Sequence, residues 1–271
     1  MDYETIIYEK RENIAIIALN RPEVLNALNF KMIDEIVDAI KKVSKDDEVR
    51  VLVIKGVGRA FCVGDDLKGM QKPGESPPGS ALEIEDYLRR GYVRVVKALR
   101  GLMKPTIACI HGYALGAGLD LALACDFRIA SETARFGAPY VLRGLVGGTV
   151  LLPRIVGLAK ATELLFLGDI IDAKKAEQIG LVNKVVPEED LEKMTMELAT
   201  KLTKISTIAI GLTKRAVEQG LGADLDRAVD YQISAALLSM QSEDFQEGVS
   251  AFIERREPRF KGRMAIKAPF Y

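Results

Sequence analysis

The sequence predicts an α/β fold in two parts, a mixed core followed by a wholly helical end, and three observations carry that expectation. Short unbroken aliphatic runs, Val51 to Ile54 and Thr106 to Ile110, have the length and continuity of strands covered on both faces. Segments with apolar residues at helical spacing lie between them, so strands and helices alternate. From Glu188 onward only the helical period remains, over Leu191 to Ile205, Ile208 to Gln219, Leu225 to Met240 and Phe245 to Glu254. A core over residues 1–200 and a helical region over 201–271 are therefore expected, and the helical region needs a partner surface for its apolar faces.

Taken in order, Thr5 to Tyr8 and Ile14 to Leu19 read as paired strands around a turn at Lys10 to Asn13, with Asn20-Arg21-Pro22 ending the second. Asn29 is a candidate N-cap for a helix whose Ile33, Ile36, Val37 and Ile40 share one face. After the Val51 to Ile54 strand, AFCVGDDLKGM reads as a second strand end, with a glycine before a polar turn. Gly69 to Ser80 is rich in proline and glycine and reads as a surface loop, a candidate lid. Ile84 to Leu99 returns to helical spacing through Leu88, Tyr92, Val95, Val96 and Leu99, as one helix stopped by Lys104-Pro105. Beyond Phe127 to Ala130 the chain is turn-rich until Gly147-Gly148 precedes a helix start at Thr149. Ala159 to Gly168 and Ala173 to Gly180 read as short helices, and Leu181 to Val186 as a strand closed by Pro187.

The richest stretch is Thr106 to Ala130, TIACIHGYALGAGLDLALACDFRIA. A buried strand runs through Gly112, Gly116 and Gly118 into an Ala/Leu-rich helix from Leu119 to Ala124. The first turn of a helix has unpaired N–H groups at the positive end of its dipole, so a glycine approach to it suits an anion or a developing oxyanion. Asp120 stands about one turn inside, in place for proton chemistry. The Gly64 loop repeats the strand-then-glycine pattern, and two such loops can supply two N–H donors to one oxygen.

Composition narrows the partners. Lys plus Arg and Asp plus Glu are both 38, so the net charge is zero and nucleic acid or anionic membrane is not expected as a partner. The longest apolar runs fall far short of the roughly 18 residues that span a bilayer, and a soluble cytoplasmic protein is expected. Cys62, Cys109 and Cys125 are an odd number in apolar settings without CxxC spacing, which argues against a disulfide framework and against zinc.

NRPEVLNAL, GRAFCVGDDLK, KPTIACIHGYALGAGLDLALACDFRIA, FGAPYVLRGL, AEQIGLVNKVVP and SEDFQEGVSAFIERREPRF occur in that order along nearly the whole chain. Together they resemble the crotonase (enoyl-CoA hydratase/isomerase) superfamily. The resemblance implies a spiral of repeated ββα units with a C-terminal helical trimerisation region, assembly as a homotrimer or dimer of trimers, and an acyl-CoA thioester substrate. Coenzyme A would enter as part of the substrate, with no separate cofactor and no metal. Position by position, the backbone N–H groups of Asp65 and Ala117 would form the oxyanion hole. Val63, Lys68 and Lys261 match coenzyme A-binding positions, Lys261 from a neighbouring subunit.

The hydratases of this family place two glutamates about the bound water, and here those positions hold Asp120 and Tyr140. Only one carboxylate is then expected between them, with an ordinary pKa near ~4 for Asp120 against ~10 for Tyr140. Dienoyl-CoA isomerases share the aspartate but keep a glutamate at the Tyr140 position and a further aspartate in a glycine loop that here reads GLVGGT. Hydratase or isomerase chemistry with Asp120 and Tyr140 as the catalytic pair is the expectation. Acyl-CoA decarboxylation, hydrolysis, or binding without catalysis are the alternatives. His111, the single histidine, reads as structural, and Glu83, Glu85 and Asp86 as a solvated helix start.

Overall fold

The computed structural model describes residues 3–69 and 80–262, so the candidate lid falls almost wholly outside the described residues. β1 (Ile6–Arg11) and β2 (Ile14–Leu19) pair antiparallel, Ile6 opposite Leu19, around a turn in which Glu12 takes a left-handed φ of 53°. α1 (Phe30–Lys45) follows, and its cap is the expected one: the Met32 N–H donates to the Asn29 side chain at 2.9 Å. Its buried face carries Ile33, Ile36, Val37 and Ile40.

β3 (Val51–Gly56) pairs parallel to β2. The segment after it is not a strand. Cys62 and Asp65 each make a single bridge, to Ala114 and Leu28, because the Gly64 turn with φ 99° leaves no room for a continuous ladder. The single helix expected over Ile84 to Leu99 is two, α2 (Ala81–Arg90) and α3 (Val93–Gly101), parted at the extended Gly91.

Repeated strand–strand–helix units come next. β4 (Thr106–Ile110) and β5 (Tyr113–Leu115) lead into α4 (Ala117–Ala124); β6 (Phe127–Ser131) and β7 (Arg135–Gly137) lead into α5 (Leu151–Val156) and α6 (Leu158–Leu167). β8 (Ile170–Asp172), α7 (Ala173–Gln178) and β9 (Lys184–Val186) close the series. Only the second half of the expected Leu181 to Val186 strand forms, because the Leu181 N–H is spent on Ala176 O at the end of α7.

β4 and β6 join a six-stranded sheet in the order β1-β2-β3-β4-β6-β9, while β5 and β7, which follow them, join β8 in a three-stranded sheet, β5-β7-β8. This alternation between two sheets is the ββα spiral implied by the resemblance. One face of the large sheet packs on α1, α3 and α4. The other, through Ile16, Val53, Ile107 and Ile129, is covered by α8 (Leu191–Thr203) with Leu191, Ala199 and Leu202.

α9 (Thr207–Gly220), α10 (Leu225–Met240) and α11 (Glu243–Glu254) complete the chain, close to the expected boundaries. α10 packs on α9 yet has no buried residue, and Leu225, Val229, Ile233, Leu237 and Met240 are exposed in the single chain. Among the described residues no helix is long and apolar enough to cross a membrane. Cys62, Cys109 and Cys125 are all buried free thiols.

Candidate active site

Two loops are fastened to each other by main-chain bonds. Cys62 N–H donates to Tyr113 O and Leu115 N–H to Cys62 O, both within 3.0 Å, so the Gly64 loop lies alongside β5. Gly118 then brings α4 against the loop so closely that a Cβ there would meet Cys62 O at 2.2 Å. At Gly64 the corresponding Cβ would lie 3.2 Å from the Ala117 nitrogen.

Asp65 and Ala117 both present main-chain N–H groups that donate to no acceptor among the described residues. Ala117 owes this to its place as the first residue of α4 after Gly116, and Asp65 to its single bridge with Leu28. Both residues line one cavity of about 90 Å³, together with Val63, Leu115, Tyr140 and Arg143. Two unspent donors at the wall of one cavity suit a single oxygen that gains negative charge.

Asp120, one turn into α4, is 5% exposed, and Tyr140, just after β7, is 8% exposed. The Tyr140 hydroxyl donates to Asp120 Oδ2 at 2.6 Å. Burial raises the Asp120 carboxyl above its ordinary value, while hydrogen bonding from Tyr140, Tyr92 and the Gly148 N–H restrains the rise. Burial and then the Asp120 charge push the Tyr140 phenol far upward, which keeps it a neutral donor.

Tyr92 is the member of this cluster that the sequence did not single out. Its helical spacing reads as core, and the signal that could have marked it is Gly91, which breaks the helix and turns the phenol toward Asp120 and Tyr140. Burial raises the Tyr92 phenol as well.

Positions 120 and 140 hold one carboxylate between them, as expected, and Asp65 adds a second carboxyl to the site from the other loop. Its side chain is half-buried and lines the Tyr140 cavity together with a second cavity, of about 230 Å³, walled by Phe30, Ile33, Leu88, Tyr92 and Val146. No donor among the described residues reaches its carboxyl oxygens. Burial, reinforced by the nearby Asp120 charge, pushes this carboxyl up to about 6.

The remaining candidates lie elsewhere. Lys68 is exposed three residues beyond Asp65. Lys261 lies beyond α11 and folds back on its first turn, with its N–H on Asp244 Oδ1 at 2.8 Å and its ammonium 3.8 Å from Glu243, and it lines neither cavity within one chain. The His111 Nε2 lies 2.8 Å from Gly58 O, a structural bond between loops. Glu83 completes the capping box of α2 with Ser80, Glu85 pairs with Arg89, and Asp86 is exposed.

Residues 9–263 match the enoyl-CoA hydratase/isomerase family model. The chain is 40% identical to a crotonyl-CoA hydratase of Syntrophomonas wolfei, covering 96% of this chain and 99% of that one. It is 36% identical to a 1,2-epoxyphenylacetyl-CoA isomerase of Escherichia coli, with the same coverage of 96% and 99%. A solved enoyl-CoA hydratase of Bacillus anthracis superposes with a TM-score of 0.88 at 32% identity, covering 96% of this chain and all of that one. With its alternating two-sheet spiral and a family match that runs almost from end to end, the chain belongs to the enoyl-CoA hydratase/isomerase family, the crotonase superfamily.

Proposed function

We propose that this protein hydrates a 2-enoyl-CoA thioester, holding the enolate oxygen on the Asp65 and Ala117 N–H groups and using Asp120 as the base for water. The observation that carries this reading is the meeting of two unspent main-chain donors at one cavity whose wall holds Tyr140, the phenol bonded to the buried Asp120 carboxylate just behind it. Attack of water on the β carbon sends the alkene electron pair toward the thioester oxygen. Each preorganised donor there is worth about 3 kcal/mol of barrier.

Asp120 accepts a proton from the water. Tyr140, whose hydroxyl points at Asp120, fixes the carboxylate and is not the donor to substrate. This revises the role of Tyr140 from catalytic partner to positioning residue. The apolar cavity beside Asp65 suits the acyl group, while Val63, Lys68 and a neighbour's Lys261 serve the coenzyme A portion. No further cofactor enters the scheme, since coenzyme A is part of the substrate.

The relative named as an isomerase supports a second reading, proton transfer between carbons of an unsaturated acyl-CoA with Asp120 as the shuttle. Loss of the conjugated enoyl absorbance of crotonyl-CoA tests hydration. Tight binding of the thioester without turnover, hydration or isomerisation, would leave a binding protein and sink both readings.

The helical region from residue 201 serves assembly into a homotrimer or dimer of trimers in this proposal. Its support is the apolar face of α10 left uncovered in the single chain. Three buried free thiols suit a reducing, cytoplasmic setting.

A further inference from the structure

The proposed hydration leaves one proton unassigned. Water gives its proton to Asp120, and the α carbon of the enolate must receive another. Tyr140 is poorly placed to give it, because its hydroxyl proton is held on Asp120 at 2.6 Å and giving it up would cost that buried carboxylate one of its donors.

Asp65 has what the step requires. Its main-chain N–H and its carboxyl belong to one residue at the wall of the oxyanion cavity, so a thioester whose oxygen rests on that N–H has its α carbon within a few bonds of this proton carrier. Asp65 lines both the Tyr140 cavity and the apolar cavity, where thioester and acyl group would meet. No donor among the described residues occupies its oxygens. The titratable residues that share its cavities are Asp66, Tyr87, Tyr92, Tyr140 and Arg143; Asp66 is paired with Arg21 at 2.9 Å.

Resting on the hydratase reading, we propose that the Asp65 carboxyl is a catalytic residue, the acid that delivers a proton to the α carbon opposite the Asp120 base. Its elevated pKa is consistent with this, since two carboxyls close enough to repel favour holding a proton between them. In the forward direction the water oxygen bonds to the β carbon, Asp120 takes a water proton, and the alkene pair moves through the α carbon to the thioester oxygen. The enolate pair then forms a C–H bond with the proton of the Asp65 acid, which becomes a carboxylate. Asp120 releases the proton it gained and Asp65 takes one up, so the net change is one water added.

The test follows the α carbon directly. Wild-type protein in deuterium oxide at pD 8 exchanges the α hydrogens of butyryl-CoA, because the Asp65 carboxylate runs the same step in reverse. Asp65→Asn keeps the main-chain N–H, binds butyryl-CoA as before, and loses exchange and crotonyl-CoA hydration by at least a hundredfold. Formate restores exchange to Asp65→Ala. Hydration and exchange in Asp65→Asn within threefold of wild type overturn the proposal and leave the hydratase reading intact. Loss of exchange that formate does not restore assigns Asp65 a structural role and also overturns it. Wild-type protein that binds both thioesters but neither hydrates nor exchanges overturns the function and this proposal together.

Discussion

The Tyr140 hydroxyl and the Asp120 carboxylate form a closed pair: donor and acceptor stand 2.6 Å apart, both buried, with the Tyr140 ring laid over Gly116 and Gly147. A phenol so placed steers the carboxylate and holds down its basicity, and its own ionisation is suppressed by the charge it serves.

Tyr140→Phe keeps the ring and removes the donor. Since that hydrogen bond lowers the Asp120 pKa, its loss lets the pKa rise further, and the acid limb of the kcat/KM profile moves to higher pH. A loss of about 2 kcal/mol, roughly 30-fold in kcat, is expected from the missing charge-assisted bond. A profile with an unmoved acid limb contradicts the pairing.

Asp120→Asn preserves shape and an acceptor for Tyr140 but removes the base. Crotonyl-CoA hydration should fall by about 10²–10⁴-fold, while the Kd for a saturated acyl-CoA measured by calorimetry stays within a factor of three. Turnover close to wild type would place the base elsewhere.

Asp65→Asn makes a stability prediction independent of turnover. An unfolded aspartate titrates near ~3.9, whereas the folded Asp65 titrates at about 6. Between those values the folded state keeps a proton that the unfolded state has lost, so this residue's contribution declines as pH rises through the window and is lowest above the folded pKa. The variant should therefore be more stable than wild type at pH 8, by about 1–2 kcal/mol after allowance for partial exposure, and the gain should vanish near pH 4. Urea midpoints at the two pH values measure it.

Gly118→Ala would place a methyl 2.2 Å from Cys62 O, on main chain that is itself bonded to β5. The loops must separate, at a cost of about 1–3 kcal/mol, and hydration should fall with them. Equal denaturation midpoints for variant and wild type would show that the frame can yield.

Ile233→Glu and Leu237→Glu introduce charge on the uncovered face of α10. Sedimentation should give a trimer or hexamer for wild type and smaller species for the pair. A wild-type monomer rejects the proposed assembly.

Much of this was legible in advance because period and capping are local. Asn29 and the four late helices follow from side-chain types a few residues apart. β5, β7 and β8 escaped notice because three residues are too few for alternation to show. Asp65, Ala117, Asp120 and Tyr140 were named from their motifs, and the fold brings all four to one place. The helical spacing of Tyr92 is one that core residues share, and the Asp65 motif marks only a main-chain N–H. Both acquire meaning only from neighbours distant in the chain.

The bridge that ties Cys62 to Ala114 separates what holds from what reacts. Main-chain atoms make the receptacle for the oxygen, and a chain of this shape that keeps Gly64 and Gly118 can make it again. Residues 65, 120 and 140 are then free to vary as interchangeable tools around a fixed anvil, so a new reaction can be tried by single substitutions without rebuilding the frame that binds the thioester.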